Sequence, residues 1–186
     1  MTGIPCSLDP LGSGLGVPFK PDFVVYEGRP QPANGGQNNL NTTLKLYYGV
    51  YNLIIAGGGS NSANGGWDGY AGGSGAAFKG RIKIKRTIEV PVQVGAKTNK
   101  NTYPLHKDSF LGDFITAQGA GGATDNNWDA FFYGTLIINQ VDWAEVLTTE
   151  IKVNTQRSNS YQPIPGTNYG QCFYTGYMKL TYLGQR

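Results

Sequence analysis

This 186-residue chain is poor in the side chains that most chemistry needs. It has one histidine, His106, in a polar stretch, and two cysteines, Cys6 and Cys172. No CxxC or mixed Cys/His metal spacing exists, and no HExxH, Walker A or nucleophile-elbow motif is present. The GxGxG of Gly12, Gly14 and Gly16 lacks the preceding strand, following helix and downstream acid of a dinucleotide site. No catalytic residue, metal site or cofactor is therefore expected, and the chain reads as a non-enzyme. The cysteine spacing favours two buried thiols over a disulfide. Charged residues make up only 15% of the chain, and the net charge of +3 is too weak to imply a nucleic-acid partner. No apolar run is long enough to span a membrane as a helix, so no membrane insertion is expected. The first residues, MTGIPCSLDPLGSG, show neither a basic n-region nor an apolar h-region. No secretory signal is visible, and with Met at its start the chain is expected to be complete. An extracellular role would then require lysis, a signal-less route or assembly into a particle.

Glycine and tyrosine are abundant instead, at 28 and 12 residues. Between Ala56 and Gly75, nine of the twenty residues are glycine. Glycine loses the most backbone entropy on folding, so this density implies close backbone packing or positive φ, or else a linker. Trp67, Tyr70 and Phe78 favour the structured reading. The expected structural glycines are Gly57, Gly58, Gly59, Gly66, Gly73 and Gly121.

Residues 1–40 carry six of the ten prolines and read as an extended N-terminal arm, with FVVY (Phe23 to Tyr26) as its one strand-like piece. Residues 41–186 read as a glycine-rich β domain. Leu44 to Ala56 is rich in β-branched and aromatic residues and is interrupted by Gly49, while alternation marks the run with Ile82 and Ile84, and Ile88 to Val94, where Pro91 suggests an edge strand. Further strands are expected at Phe114 to Ala117, Gly134 to Val141, Glu150 to Asn154 and Cys172 to Gly184. The one helix expected is Val141 to Leu147. The fold class is all-β, a sandwich-like domain with glycine-rich loops.

Charge is segregated. From Lys79 to Lys107 there are eight basic residues and one acid; from Asp108 to Glu150 there are seven acids and no Lys or Arg. Either this is chance on a polar surface, or the segments lie side by side within the chain or between subunits. The second reading pairs Arg81, Lys83 and Lys85 with Asp125, Asp129 and Asp142. Aromatics in Gly/Asn/Ser loops are the strongest binding signal, because Tyr and Trp give rigid contact area while Ser, Gly and Asn adapt. Trp67, Tyr70, Trp128, Tyr133, Tyr161 and Tyr169 are the candidate ligand-binding residues, with packing at a subunit interface as the equal alternative.

The ordered series LIIAGGG, NGGWDGYAGGSGA, VPVQVGA, SFLGDFITAQGAGG and GYMKLTYL resembles the glycine-rich domain of bacteriophage tail fibres and related receptor-binding proteins. Val94-Gly95-Ala96, Ser109-Phe110-Leu111-Gly112 and Ile115 to Gly122 match its short elements, over about residues 44 to 184. The resemblance implies a virion or surface-appendage component, oligomeric, with adhesion to host-surface glycans as its role. It also implies polyglycine II packing, from which KTNKNTYPLHKD after the VGA element departs. A free carbohydrate-binding module and a polysaccharide hydrolase are the rival readings.

Overall fold

The computed structural model describes residues 23–30, 39–60, 72–97, 107–121, 134–156, 158, 160–171 and 174–185. Among the described residues there are ten strands, β1 (Phe23–Gly28), β2 (Leu40–Leu46), β3 (Gly49–Ala56), β4 (Ala77–Ile84), β5 (Ile88–Val94), β6 (Ser109–Leu111), β7 (Ile115–Ala117), β8 (Leu136–Ile138), β9 (Ala144–Val153) and β10 (Tyr177–Gly184). Sheet I has the order β1-β10-β3-β4-β9, and sheet II the order β2-β5-β6-β7-β8. Every pairing is antiparallel. The all-β, sandwich-like class read from the sequence is what the chain adopts.

Period-two alternation builds the core. Tyr51, Leu53 and Ile55 of β3, Phe78, Ile82 and Ile84 of β4, and Met178, Leu180 and Tyr182 of β10 are fully buried. Val90, Val92 and Val94 of β5, with Leu111 and Ile115, meet them from sheet II. Tyr51 and Tyr182 pack edge-to-face, with centroids 5.1 Å apart, a preferred aromatic geometry. The Tyr51 hydroxyl is satisfied by donating to the Tyr47 carbonyl at 2.9 Å and accepting from the Tyr47 N–H at 3.0 Å.

The run from Leu44 to Ala56 is divided between two sheets. β2 lies in sheet II and β3 in sheet I, with the change of direction at Gly49, whose φ is +146°. A Cβ there would press on the Tyr182 ring. The partner β4 turns into β5 at Lys85–Thr87, so a long hairpin folds over itself and supplies strands to both layers.

Two expectations are corrected. Val141 to Leu147 is not helical: β9 begins at Ala144 and pairs with β4. Ala144 is buried and Val146 packs on the core, so strand pairing and burial outweigh a weak local helical pattern. The strand-like piece expected at Phe23 to Tyr26 is β1, which pairs with β10 as an edge of sheet I; residues 1–22 lie outside the described set. Pro91 does not mark an edge, since β5 runs between β2 and β6. β6 pairs only with Val92 and Gln93, so the N–H that Pro91 lacks has no ladder partner to lose. The Pro91 carbonyl accepts from the Gly112 N–H at 2.8 Å.

Candidate functional site at the glycine-rich end

The antiparallel order brings ten strand ends to one end of the sandwich: the exits of β1, β3, β5, β7 and β9 and the starts of β2, β4, β6, β8 and β10. In the body the layers are spaced by side chains, about 10 Å apart in face-to-face sheets. At this end the two layers bond backbone to backbone. The Gly58 N–H donates to the Lys107 carbonyl at 3.0 Å, and Ala120 N–H donates to the Gly58 carbonyl at 2.9 Å. Ala76 N–H reaches the Gln118 carbonyl at 2.8 Å, and Gly176 N–H reaches Gly95 at 2.8 Å.

Successive donors in the segment after β3 aim at different neighbours. Gly57 donates to Ala76, Gly58 to Lys107, Gly59 to Tyr174, and Ser60 to Gly73. The first and fourth bonds return to the segment before β4. A strand alternates with period two; a three-residue repeat is that of a threefold extended helix with no internal hydrogen bonds. The donor directions here return after three residues.

Side-chain volume would prevent this. A Cβ on Gly58 would overlap the Ala96 carbonyl oxygen, and one on Gly75 would overlap the Gly57 carbonyl. Both obstacles are backbone, and both glycines are buried. Short polar side chains fill the remaining valences. Ser109 Oγ donates to the Ala56 carbonyl at 2.7 Å and accepts from the Gly95 N–H at 2.9 Å. Ser60 Oγ accepts from the Gly73 N–H at 2.8 Å, and Asp108 Oδ1 from the Gly119 N–H at 2.9 Å. The sequence reading missed Ser60 and Asp108 altogether. It took Ser109 only as part of a motif, although each abuts a glycine run.

Of the six proposed structural glycines, Gly57, Gly58, Gly59, Gly73 and Gly121 are buried here, and Gly66 lies outside the described residues. Of the aromatics, Trp67, Tyr70, Trp128 and Tyr133 also lie outside them. Tyr161 is half-buried. Tyr169 stacks on Tyr177 with centroids 3.7 Å apart and planes 3° from parallel, and the Arg29 guanidinium sits over the Tyr169 ring at 5.4 Å. Tyr169 is thus engaged in packing. The Tyr177 hydroxyl donates to Glu27 Oε1 at 2.5 Å. Burial first, and then this carboxylate, push the Tyr177 pKa well above its ordinary value. The loop around them returns over sheet I, where Ile164 closes a small cluster with Ala56 and Ala77, flanked by Ile54, Ile151 and Val153.

The basic and acidic segments are neighbours within the chain, as β4 and β9. Asp142 of the expected acids is paired, and the bridges run beside the direct register, which sets Glu145 opposite Lys83 and Ile151 opposite Lys79. Lys79 pairs with Glu150 at 2.6 Å, Lys85 with Glu145 at 3.0 Å, and Arg86 with Asp142 at 2.9 Å. Arg81 is exposed, and the Lys83 ammonium sits over the Tyr48 ring at 5.7 Å. Asp125 and Asp129 lie outside the described residues. A shallow groove of about 230 Å³ on the outer face of sheet I is bordered by Asn52, Ile54, Lys79, Glu150, Lys179 and Thr181. Among the described residues, no three His, Cys, Asp or Glu side chains converge as metal ligands. In comparison with known proteins, no family model, curated protein or solved structure matches the chain.

Proposed function

We propose that the chain is a non-enzymatic structural and adhesive subunit of a phage particle or extracellular filament, self-associating, with host-surface glycan as its ligand. The observation that carries this reading is the convergence of ten strand ends on a backbone-bonded platform. The five connections between β1 and β2, β3 and β4, β5 and β6, β7 and β8, and β9 and β10 leave from and return to it. Recognition residues are commonly borne on loops held by a rigid scaffold. The connections after β3, β7 and β9 are rich in Trp, Tyr, Asn, Ser and Gly, the composition of adaptable recognition loops. The resemblance to tail-fibre glycine-rich domains supports the same role.

The test is retention of the purified chain on a panel of immobilised bacterial surface polysaccharides. Trp67→Ala and Trp128→Ala are expected to weaken retention at least tenfold, about 1.4 kcal/mol, with unchanged thermal unfolding. Retention that survives both substitutions, or no retention on any surface, would overturn the reading. Retention lost only on altering Lys79, Lys179 and Arg81 would favour a carbohydrate-binding module that uses the groove on sheet I.

A further inference from the structure

The sandwich has four edge strands, and three are protected against pairing in ways that natural sheets use. β9 carries two register shifts against β4, between Lys79 and Gly80 and between Arg81 and Ile82. β1 carries one between Val24 and Tyr26. β8 has only three residues. β2 differs: all seven of its residues pair in unbroken register with β5, and among the described residues no strand lies on its other side. Leu40, Asn41, Thr42, Thr43 and Lys45 are exposed.

The backbone direction on this edge follows from Pro91. In a strand, a residue's N–H and C=O point to the same side. The Pro91 carbonyl accepts from Gly112, on the β6 side, so Pro91 faces away from β2. Its partner Thr43 therefore sits in a non-hydrogen-bonded pair and directs its own N–H and C=O outward. By alternation, Asn41, Thr43 and Lys45 direct their backbone groups outward, where none of the described residues bonds them, whereas Leu40, Thr42, Leu44 and Leu46 bond to β5.

We propose that this edge is an interface with a second copy of the chain, in which two β2 strands pair antiparallel about a two-fold axis at Thr43. The sequence Leu-Asn-Thr-Thr-Leu-Lys-Leu suits this register in both directions. Thr43 opposes the other copy's Thr43, Asn41 opposes Lys45, Thr42 opposes Leu44, and Leu40 opposes Leu46. The three opposed pairs with outward backbone groups each exchange two hydrogen bonds, giving six across the axis. The partly exposed Leu40 gains an apolar neighbour, and Thr–Thr opposition is favourable in antiparallel pairs. A slip centred on Lys45 would set lysine against lysine, which like-charge repulsion disfavours. Lys45, the one charge that could guard the edge, has its ammonium over the Tyr47 ring of its own chain at 5.3 Å. The result is a continuous ten-stranded sheet across two copies. The inference deepens the self-association in the proposed function, but its test does not depend on any glycan.

Thr43→Pro removes the central outward N–H and no bond to β5, and proline is tolerated on an edge. Mass photometry and sedimentation of the full chain are expected to show that Thr43→Pro halves the assembly mass with unchanged thermal unfolding. Thr43→Cys, treated with a mild oxidant, should form a disulfide between the two introduced thiols, identified by peptide mapping. Opposed hydrogen-bonded residues have Cα atoms about 5.5 Å apart, within disulfide range. Thr42→Cys, which would oppose Leu44, should not crosslink. A wild-type chain that stays monomeric up to its solubility limit would overturn the proposal. So would an unchanged mass in Thr43→Pro, or crosslinking through position 42 as readily as through 43. Loss of glycan retention with dimerisation intact would count against the adhesive reading alone.

Discussion

The body of the sandwich and its glycine-rich end hold the same two layers together by opposite means. In the body, side chains such as Leu53, Ile82 and Leu180 fill the space between the sheets and are fully buried. At the end, that space vanishes, and Gly58 bonds to Lys107 and Ala120 of the other layer through backbone alone. The body is stabilised by volume present, the end by volume absent. Glycine here is a spacing device rather than a source of flexibility, and its entropic cost is offset by hydrogen bonds that any Cβ would exclude.

The contrast breaks if both regions respond alike to adding or removing atoms. The largest effect is expected for Leu53→Ala, about 4 kcal/mol, because a buried leucine leaves a cavity. Urea unfolding would measure it. Gly58→Ala comes next, at about 3 kcal/mol, the upper range for overpacking against groups that cannot move aside. Gly166→Ala supplies the control: Gly166 has φ +76° and open space around its would-be Cβ, so only backbone strain of about 1 kcal/mol applies. Equal costs at Gly58 and Gly166 would mean that close approach is not what the glycine end requires. Tyr51→Phe, far from that end, should cost about 1 kcal/mol through its lost hydrogen bonds.

Smaller effects sharpen the picture on the surface. Exchanging Lys85 and Glu145 should change stability by about 0.5 kcal/mol or less, because both side chains are roughly two-fifths exposed and such pairs are weak. Tyr177 adds a pH dependence. Its folded pKa is raised, so its contribution is fully present below the unfolded value of about 10 and is lost as pH rises beyond it. Tyr177→Phe should flatten the alkaline limb of the thermal stability profile; an unchanged limb would place the sensitivity elsewhere.

The strands were legible where alternation was strict, as in Ile82–Ile84 and Val90–Val94, because period two reports a half-buried face directly. Gly49 was visible as an interruption, but not as the point where the chain changes sheet, which depends on what Tyr182 places beside it. Val141 to Leu147 misled because a short apolar spacing fits two periods, and pairing with β4 chose between them. Glycine density announced close backbone approach. Which segments approach was not legible, since that follows from ten-strand topology rather than local composition. Opposite charge blocks pointed to β4 beside β9, whereas the partners Glu150 and Glu145 follow from side-chain reach around the register shifts of that pair, which charge sign alone does not carry.

Native-state amide hydrogen exchange tests the central claim most directly. The Gly57, Gly58, Gly59, Ala76, Ala120 and Gly176 N–H groups all donate to backbone carbonyls of other segments at the glycine end. They are expected to exchange as slowly as the amides of the central strand β3, with opening free energies near the global value. Exchange at the rate of exposed loop amides would contradict the account and leave the glycine-rich end as a flexible connection between sheets.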